Sequence, residues 1–371
     1  MLHTTIGKKA FLLLTLVLCP IHILFGQDEN NSSASYFPYP IDIVYLWVDG
    51  SDPDWMSIKN HHLLTHQRLM NIPEEACAAN RFFDHEELRY SLRSILLFAP
   101  FVNHIYIVTM NQHPKWLVDH PKITIIDHQE IFKNPRDLPT FNSQALECHL
   151  HRIPGLSEYF IYFNDDVFLG APVIPDDFFT SEGKIKVLFE KGMTVSPNPE
   201  VQASLYRKAW VNSNELLDRH FIKEPRHRLC HAPFALRKSF IQQAENLFPY
   251  VFISNSSHKF RSVSDFNLTN GLLQYIWLYQ GYVEKGNLTN KMFSIYSDTN
   301  FANTQKELEA LEKHPLHTFC IQDCMKEESE KSSELLQNFF KLLYPHPAPW
   351  EDVDLFNLNA AIYSTEVINR D

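Results

Sequence analysis

A short apolar segment that ends in adjacent carboxylates constrains the fold of this 371-residue chain most strongly. Residues 159–163 have the aromatic and β-branched content of a buried strand, and Asn164, Asp165 and Asp166 follow directly. In open α/β sheets, ligands bind at the carboxyl ends of the strands. The pattern predicts an α/β sheet with hard oxygen ligands for a divalent cation at this strand end. Capping of a turn by the two aspartates is the alternative.

Strand and helix patterns alternate over the first 170 residues, and this rhythm is typical of a Rossmann-like sheet covered by helices. Asp84 has the position of a helix N-cap, and Pro100 ends that helix. The segment 180–230 is expected to be irregular. The predicted strands are 42–48, 104–109, 122–126, 159–163 and 317–321, and the predicted helices are 85–99, 142–152, 239–248, 267–280, 303–313 and 327–343.

Charge and composition exclude some classes of function. The net charge of −11 argues against a general nucleic-acid or anionic-membrane binder, although it permits a local anion pocket. The apolar share of 44% and the 28 phenylalanines predict a substantial core. A single catalytic domain over 41–345 is therefore expected, followed by a C-terminal tail over 346–371.

The N-terminus has the pattern of a targeting segment. Lys8 and Lys9 precede an apolar run over 10–25, so residues 1–26 are interpreted as a signal peptide or a signal anchor, and 27–40 as a stalk. This interpretation predicts the secretory pathway, with membrane contact only through an anchor. Five glycosylation sequons agree with it, at Asn30, Asn31, Asn255, Asn267 and Asn287. The spacing of Cys320 and Cys324 allows a local disulfide, and the connectivity stays open.

Several side chains away from the acidic strand end are candidates for catalysis or binding. Glu147 and His151 are four residues apart on a predicted helix and would share a face, although a surface pair is the commoner meaning of that spacing. His231 stands in a loop among arginines. Basic clusters of this kind are either phosphate clamps or solvated faces. The other candidates are Lys259 and Arg261 in a second basic cluster, Asp49 and Asp52 after the first strand, and Asp323 at the end of a short strand.

These segments together resemble the Stealth family of sugar-phosphate transferases. That family includes bacterial capsule and exopolysaccharide phosphotransferases and the catalytic subunit of the Golgi N-acetylglucosamine-1-phosphotransferase. The fourth block is the weakest, because Gln322 stands where the family usually has Asn. The blocks that carry the resemblance are 41–53 (IDIVYLWVDGSDP), 81–95 (RFFDHEELRYSLRSI), 138–143 (LPTFNS), 147–153 (ECHLHRI), 160–166 (FIYFNDD), 230–236 (CHAPFAL), 258–265 (HKFRSVSD) and 319–323 (FCIQD).

The resemblance implies a function and assigns roles to residues. It implies a nucleotide-sugar-transferase-like fold, a UDP-sugar donor, a glycan or glycoprotein acceptor, release of UMP, a Mg or Mn ion, and a place in the Golgi lumen or outside the cell. An oligomer is compatible with it. The alternatives are an ordinary glycosyltransferase that releases UDP and a secreted binding protein without activity. The implied active-site residues are Glu147, Asp166, His231 and Arg261, with supporting roles for Asn164, Asp165 and Asp323.

Overall fold

The structure is a computed structural model, and it describes residues 37–69, 72–194, 204–295, 301–324 and 329–352. The predicted targeting segment, nearly all of the stalk and most of the C-terminal tail lie outside these residues. The described residues belong to one compact unit. In this part of the chain, no helix combines the length and the apolar character that crossing a bilayer requires.

A five-stranded sheet forms the centre of the fold, with strand order β3-β2-β1-β4-β9. The first four strands in this order are parallel, and β9 runs antiparallel to β4. All six residues of β1 are buried, which explains why five of them are apolar, and the buried carboxylate of Asp42 accepts hydrogen bonds from Asn103 and Ser157. The strands are β1 (Ile41–Leu46), β2 (Ile105–Thr109), β3 (Ile123–Asp127), β4 (Tyr159–Asn164) and β9 (Phe234–Arg237).

Strand register brings the carboxyl ends of β1, β2 and β4 to one edge of this sheet. Leu46 pairs with Val108 on one side and with Asn164 on the other. The turn after β1 packs closely, because a Cβ atom at Gly50 would lie 2.0 Å from the carbonyl oxygen of Phe82. Gly50 therefore permits residues 81–82 to approach this edge.

Smaller sheets extend the fold beyond the acidic strand end. The strand β12 pairs parallel with β11 and antiparallel with β5, and the backbone of Ile321 donates to the carbonyl of Asp166. This pairing places Cys320 beside the acidic segment. The remaining strands are β5 (Val167–Leu169), β6 (Ile185–Val187), β7 (Phe189–Thr194), β8 (His227–Leu229), β10 (Val283–Lys285), β11 (Asn290–Ile295) and β12 (Thr318–Asp323).

Helices surround the sheets and close three apolar cores. The largest core lies around the central sheet, a second one lies between β12 and α11, and a third one contains Trp55, Phe141 and Phe260. The helices are α1 (Pro53–Leu69), α2 (Glu74–Cys77), α3 (Glu87–Phe98), α4 (His128–Ile131), α5 (Ser143–Glu147), α6 (Leu205–His220), α7 (Lys238–Leu247), α8 (Pro249–Ser257), α9 (Leu273–Tyr279), α10 (Phe301–Lys313) and α11 (Glu330–Leu343).

Most predicted elements are confirmed within a few residues, and four expectations need correction. The segment 180–230 is not irregular, because it contains β6, β7, α6 and β8. The predicted helix 142–152 is broken, since α5 ends at Glu147 and a separate 3₁₀ turn follows. The predicted helix 267–280 begins with an irregular turn around Gly271 before α9. Asn255 and Asn267 are buried, so a glycan on either side chain would not fit the folded protein.

Candidate active site

The carboxyl end of β4 meets a histidine from a neighbouring loop. His231 precedes β9, which pairs with β4, so its ring lies against the segment Asn164 to Asp166. Nδ2 of Asn164 is 3.1 Å from Nε2 of His231. Oδ1 of Asp166 is 3.6 Å from the same nitrogen. The structure therefore brings together three of the residues predicted from the sequence.

A buried thiol completes a group that could hold a metal ion. Sγ of Cys320 donates to Oδ2 of Asp166 at 3.3 Å. Oδ1 of Asp166 is shielded from solvent and has no hydrogen-bond partner within the described ranges. Ligand atoms of Asp166, His231 and Cys320 all lie within 4.8 Å of one another. The unsatisfied carboxylate oxygen is a strong acceptor that a cation would satisfy.

Further carboxylates surround Asp165. Burial and repulsion from Asp166 and Asp84 raise the pKa of Asp165 well above its usual range. Burial, with repulsion from Asp84 and Asp165, does the same to the pKa of Glu87. Asp84 also accepts a hydrogen bond from the indole of Trp47 at 3.2 Å. The acidic cluster consists of Asp84, Glu87, Asp165 and Asp166, and its mutual repulsion favours a bound cation.

Asp84 and Glu87 were not predicted from the sequence as residues of the site. The prediction of Asp84 as the N-cap of α3 is wrong, because the helix begins two residues later than that cap requires. Glu86 occupies the cap position in a left-handed conformation, with φ of 65°. Asp84 instead accepts from the backbone of Glu86 at 2.8 Å. Three acidic residues within 84–87 were the available signal, and capping was the simpler interpretation.

Glu147 lies at the end of α5 and is held by Thr269. Its Oε2 accepts from the Thr269 hydroxyl at 2.6 Å and from the backbone nitrogen at 3.2 Å. Burial raises the pKa of Glu147, while these hydrogen bonds and the charges of Arg261 and His231 oppose the increase. Glu147, Arg261 and His231 therefore share one electrostatic environment. Thr269 could not be found from spacing, because it lies 122 residues away in the chain.

The expected pairing of Glu147 with His151 is wrong. The helix ends between them, and Nε2 of His151 lies 3.1 Å from Oε2 of Glu245. Arg152 binds the same carboxylate at 2.7 Å. His151 therefore belongs to a peripheral ion-pair group and not to the candidate site.

The two basic residues of the second cluster differ in how many of their hydrogen-bond donors are used by protein atoms. Arg261 is half-buried and donates to the hydroxyl of Ser143 at 3.2 Å. Within the described ranges it forms no ion pair with a carboxylate. Lys259 instead donates to the carbonyl oxygens of Leu138 and Pro139, at 2.8 and 3.2 Å. Arg261 is thus the better placed of the two to bind an anion.

Asp49 and Asp52 lie after β1, at the predicted edge, and both stabilise the turn there. Oδ1 of Asp49 accepts from Ser51, and Oδ1 of Asp52 accepts from two backbone nitrogens at the start of α1. The side chain of Gln112 joins the backbone of Asp49 to the carboxylate of Asp52. Asp323 ends β12 as predicted, and its side chain lies outside the described part of the structure.

Fold and site define an α/β protein with a carboxylate and histidine site at its strand ends. Four regions of the chain match the conserved regions of Stealth proteins, and together they span more than half of the chain. The chain therefore belongs to the Stealth family, which confirms the resemblance. The matches are conserved region 1 at 39–57, region 2 at 81–187, region 3 at 230–277 and region 4 at 309–360.

Curated relatives from bacteria are similar over most of this chain. An exopolysaccharide phosphotransferase of Streptomyces coelicolor is 36% identical over 317 residues, which cover 84% of this chain and 52% of the relative. The exopolysaccharide phosphotransferase CpsY of Mycobacterium tuberculosis is 35% identical over 324 residues, which cover 86% of this chain and 59% of the relative. The chain thus spans a little over half the length of these relatives.

Solved glycosyltransferase structures show a remote similarity. The galactosyltransferase LgtC has a TM-score of 0.39 at 11% identity, with 84% of this chain and 99% of LgtC covered. Mouse xyloside xylosyltransferase 1 has a TM-score of 0.35 at 10% identity, with 76% of this chain and 98% of that enzyme covered. The assignment to the α/β class follows from the central sheet itself.

The expected secretory-pathway or Golgi location is not supported. The curated relatives are bacterial exopolysaccharide phosphotransferases, and these are not Golgi proteins. The apolar run that motivated the expectation lies outside the described residues. That interpretation is therefore withdrawn.

Proposed function

We propose that this protein transfers a sugar-1-phosphate, N-acetylglucosamine-1-phosphate, from a UDP-sugar to a hydroxyl group of a glycan. The names of the bacterial relatives support sugar-phosphate transfer to a polysaccharide. The observation that carries the proposal is the position of His231, 3.6 Å from the unsatisfied oxygen of Asp166. The charge of Arg261 acts on the same region through Glu147. These positions support a site in which His231 is the base, the aspartates are cation ligands and Arg261 binds phosphate.

The residues present fit a divalent cation. Asp165 and Asp166 would hold Mg or Mn through their carboxylate oxygens, with Asp323 as the proposed third ligand, so that His231 stays outside the ligand set and acts as the base. Such an ion, when bound, neutralises negative charge on a diphosphate. The unsatisfied Oδ1 atom of Asp166 and the repulsion around Asp165 support this assignment.

His231, Arg261 and Glu147 have separate roles in the proposed transfer step. The acceptor oxygen attacks the sugar-bearing phosphorus, the bond to the bridging oxygen breaks, and UMP leaves with the bonding electrons. His231 takes the hydroxyl proton at Nε2, where the acceptor hydroxyl replaces the Asn164 amide as the hydrogen-bond partner of the single lone pair. Arg261 stabilises the phosphate oxygens, and Glu147 orients the acceptor hydroxyl.

Nucleotide product analysis tests this proposal. The protein is incubated with UDP-N-acetylglucosamine, Mg or Mn, and a panel of capsule-type oligosaccharides and mannosides. Chromatography should detect UMP in step with a phosphodiester-linked product. Release of UDP would instead establish an ordinary glycosyltransferase. If neither UMP nor UDP rises above the amount released by Asp166→Asn, transfer from this donor is refuted.

A further inference from the structure

Arg81 ends the 3₁₀ turn before Phe82, Arg261 directly follows Phe260, and both phenylalanines pack in one apolar cluster. The backbone of Phe82 packs against the turn after β1. Arg261 donates to the hydroxyl of Ser143 at the start of α5. The two arginines are 180 residues apart in the chain, so only the fold can bring them together.

A row of packed aromatic rings fixes the two arginines relative to each other. Phe82 follows Arg81, and its ring lies 5.0 Å from that of Trp55. Trp55 lies 5.6 Å from Phe141, and Phe141 stacks on Phe260 at 5.1 Å. Phe260 directly precedes Arg261. This apolar row holds both backbones in place without neutralising either guanidinium.

The two guanidinium groups are only partly satisfied by protein atoms. Arg81 uses Nε and Nη2 for Glu75, at 2.6 and 2.9 Å, and its Nη1 has no partner in the described part of the chain. Arg261 uses one nitrogen for Ser143, and its remaining donors have no partner there. Burial and the nearby charge of Arg261 lower the pKa of Arg81 to about 10, so the guanidinium group of Arg81 remains positively charged at neutral pH.

We propose that Arg81 and Arg261 form a two-arginine subsite for a phosphate group of the donor diphosphate. Glu75 pairs with Arg81 alone, and no carboxylate within the described ranges pairs with Arg261, so the two guanidinium groups carry an excess of positive charge in a protein of net charge −11. A phosphate accepts hydrogen bonds from several guanidinium nitrogens at once, and the unused donors of this pair match that requirement. The inference rests on the proposed function and adds Arg81 to its donor site.

Binding of inorganic pyrophosphate in excess chelator tests the subsite separately from the cation and from turnover. Isothermal titration compares the wild-type chain with Arg81→Gln, Arg81→Lys and Arg261→Gln. Each Gln variant should bind pyrophosphate at least about tenfold more weakly, because a charged hydrogen-bonding group is lost. Arg81→Lys should recover part of the affinity. The exposed Arg219→Gln variant is the matched control and should bind as the wild type does.

The outcomes distinguish this subsite from a structural role of Arg81 and from the proposed reaction. If Arg81→Gln melts normally and binds pyrophosphate with wild-type affinity, the subsite is refuted. If Arg81→Gln melts at a lower temperature than the wild type, the Arg81→Lys variant provides the test. The subsite is also refuted if Arg81→Lys melts as the wild type does but recovers no affinity for pyrophosphate. Normal pyrophosphate binding by a protein that releases no UMP would refute the reaction and leave the subsite intact.

Discussion

Nε2 of His231 lies 3.6 Å from Oδ1 of Asp166, a carboxylate oxygen that no other described group satisfies. The two residues are 65 positions apart and meet because β9, which follows His231, pairs with β4. A base beside a cation ligand can accept a proton close to the phosphate group that reacts. This contact is the basis of the first two predictions.

His231→Ala should reduce turnover at least about a hundredfold, as expected for loss of a general base. Among the described residues, the ring makes one hydrogen bond, with Asn164, and only a long contact with Asp166, so its removal should leave the melting temperature close to that of the wild type. Steady-state kinetics and thermal melting check both parts. The exposed His113→Ala variant is the control and should retain full activity. Wild-type turnover by His231→Ala would remove His231 from the mechanism.

Addition of Mg or Mn should raise the melting temperature, because a cation relieves the repulsion within the acidic cluster. Saturating metal at a hundred times its dissociation constant stabilises the native state by about 2.7 kcal/mol. Thermal melts with metal and with chelator measure the difference. Asp166→Asn should abolish the shift, whereas the exposed Asp119→Asn should preserve it. An equal shift in Asp166→Asn would place the cation elsewhere.

Thr269→Val should lower kcat by roughly tenfold or more, because the hydrogen bond to the Glu147 carboxylate is lost. Thr269→Ser keeps the hydroxyl and should remain close to the wild type. The hydrogen bond lowers the pKa of Glu147, so its loss should move the acidic limb of the pH–rate profile to higher pH. Equal kcat values and superimposable profiles for the Val and Ser variants would contradict this role.

Glu351→Gln should destabilise the fold by roughly 3–5 kcal/mol, because Arg89 and Arg93 would lose their buried carboxylate partner. Burial alone would raise the pKa of Glu351, but hydrogen bonds from Arg93, Ala348 and Arg89 lower it below 4.5. This stabilisation is present above pH 4.5 and is lost as the pH falls through the lowered pKa.

Urea unfolding between pH 7 and pH 3 measures this dependence on pH. The wild type should lose stability over the acidic part of that range, and Glu351→Gln should lose less, because its amide does not titrate. Glu334→Gln on the surface of α11 is a matched control that should keep the wild-type slope. Identical slopes for Glu351→Gln and the wild type would show that the ion pair does not stabilise the fold.

The sequence predicted the parts of the fold that depend on local pattern. Residues 159–163 were predicted as a strand because their side chains are aromatic or β-branched, and the structure buries all of them in β4. The acidic pair after β4 and its meeting with His231 follow from strand ends and from the family blocks. Glu147 was identified by resemblance, while spacing gave it the wrong partner, His151.

Contacts between distant segments could not be predicted. Thr269 and Cys320 carry no local signal of function, and each reaches the site through the pairing or packing of another element. The helix α6 was not predicted from the sequence. The residues on both sides of it within 180–230 obscure the helical spacing of its apolar side chains. Asp84 was misinterpreted because the left-handed backbone at Glu86 delays the helix start, and sequence pattern does not reveal that conformation.

The central claim is that the bond broken joins the two phosphates of the donor. UDP-N-acetylglucosamine labelled with ³²P in the phosphate next to the sugar follows that phosphate directly, with Arg261→Ala as the impaired comparison. Sugar-phosphate transfer predicts that the label moves to the glycan, that unlabelled UMP is released in equal amount, and that Arg261→Ala slows the transfer at least about a hundredfold. Label that remains in UDP while the glycan gains sugar without phosphorus would contradict the account.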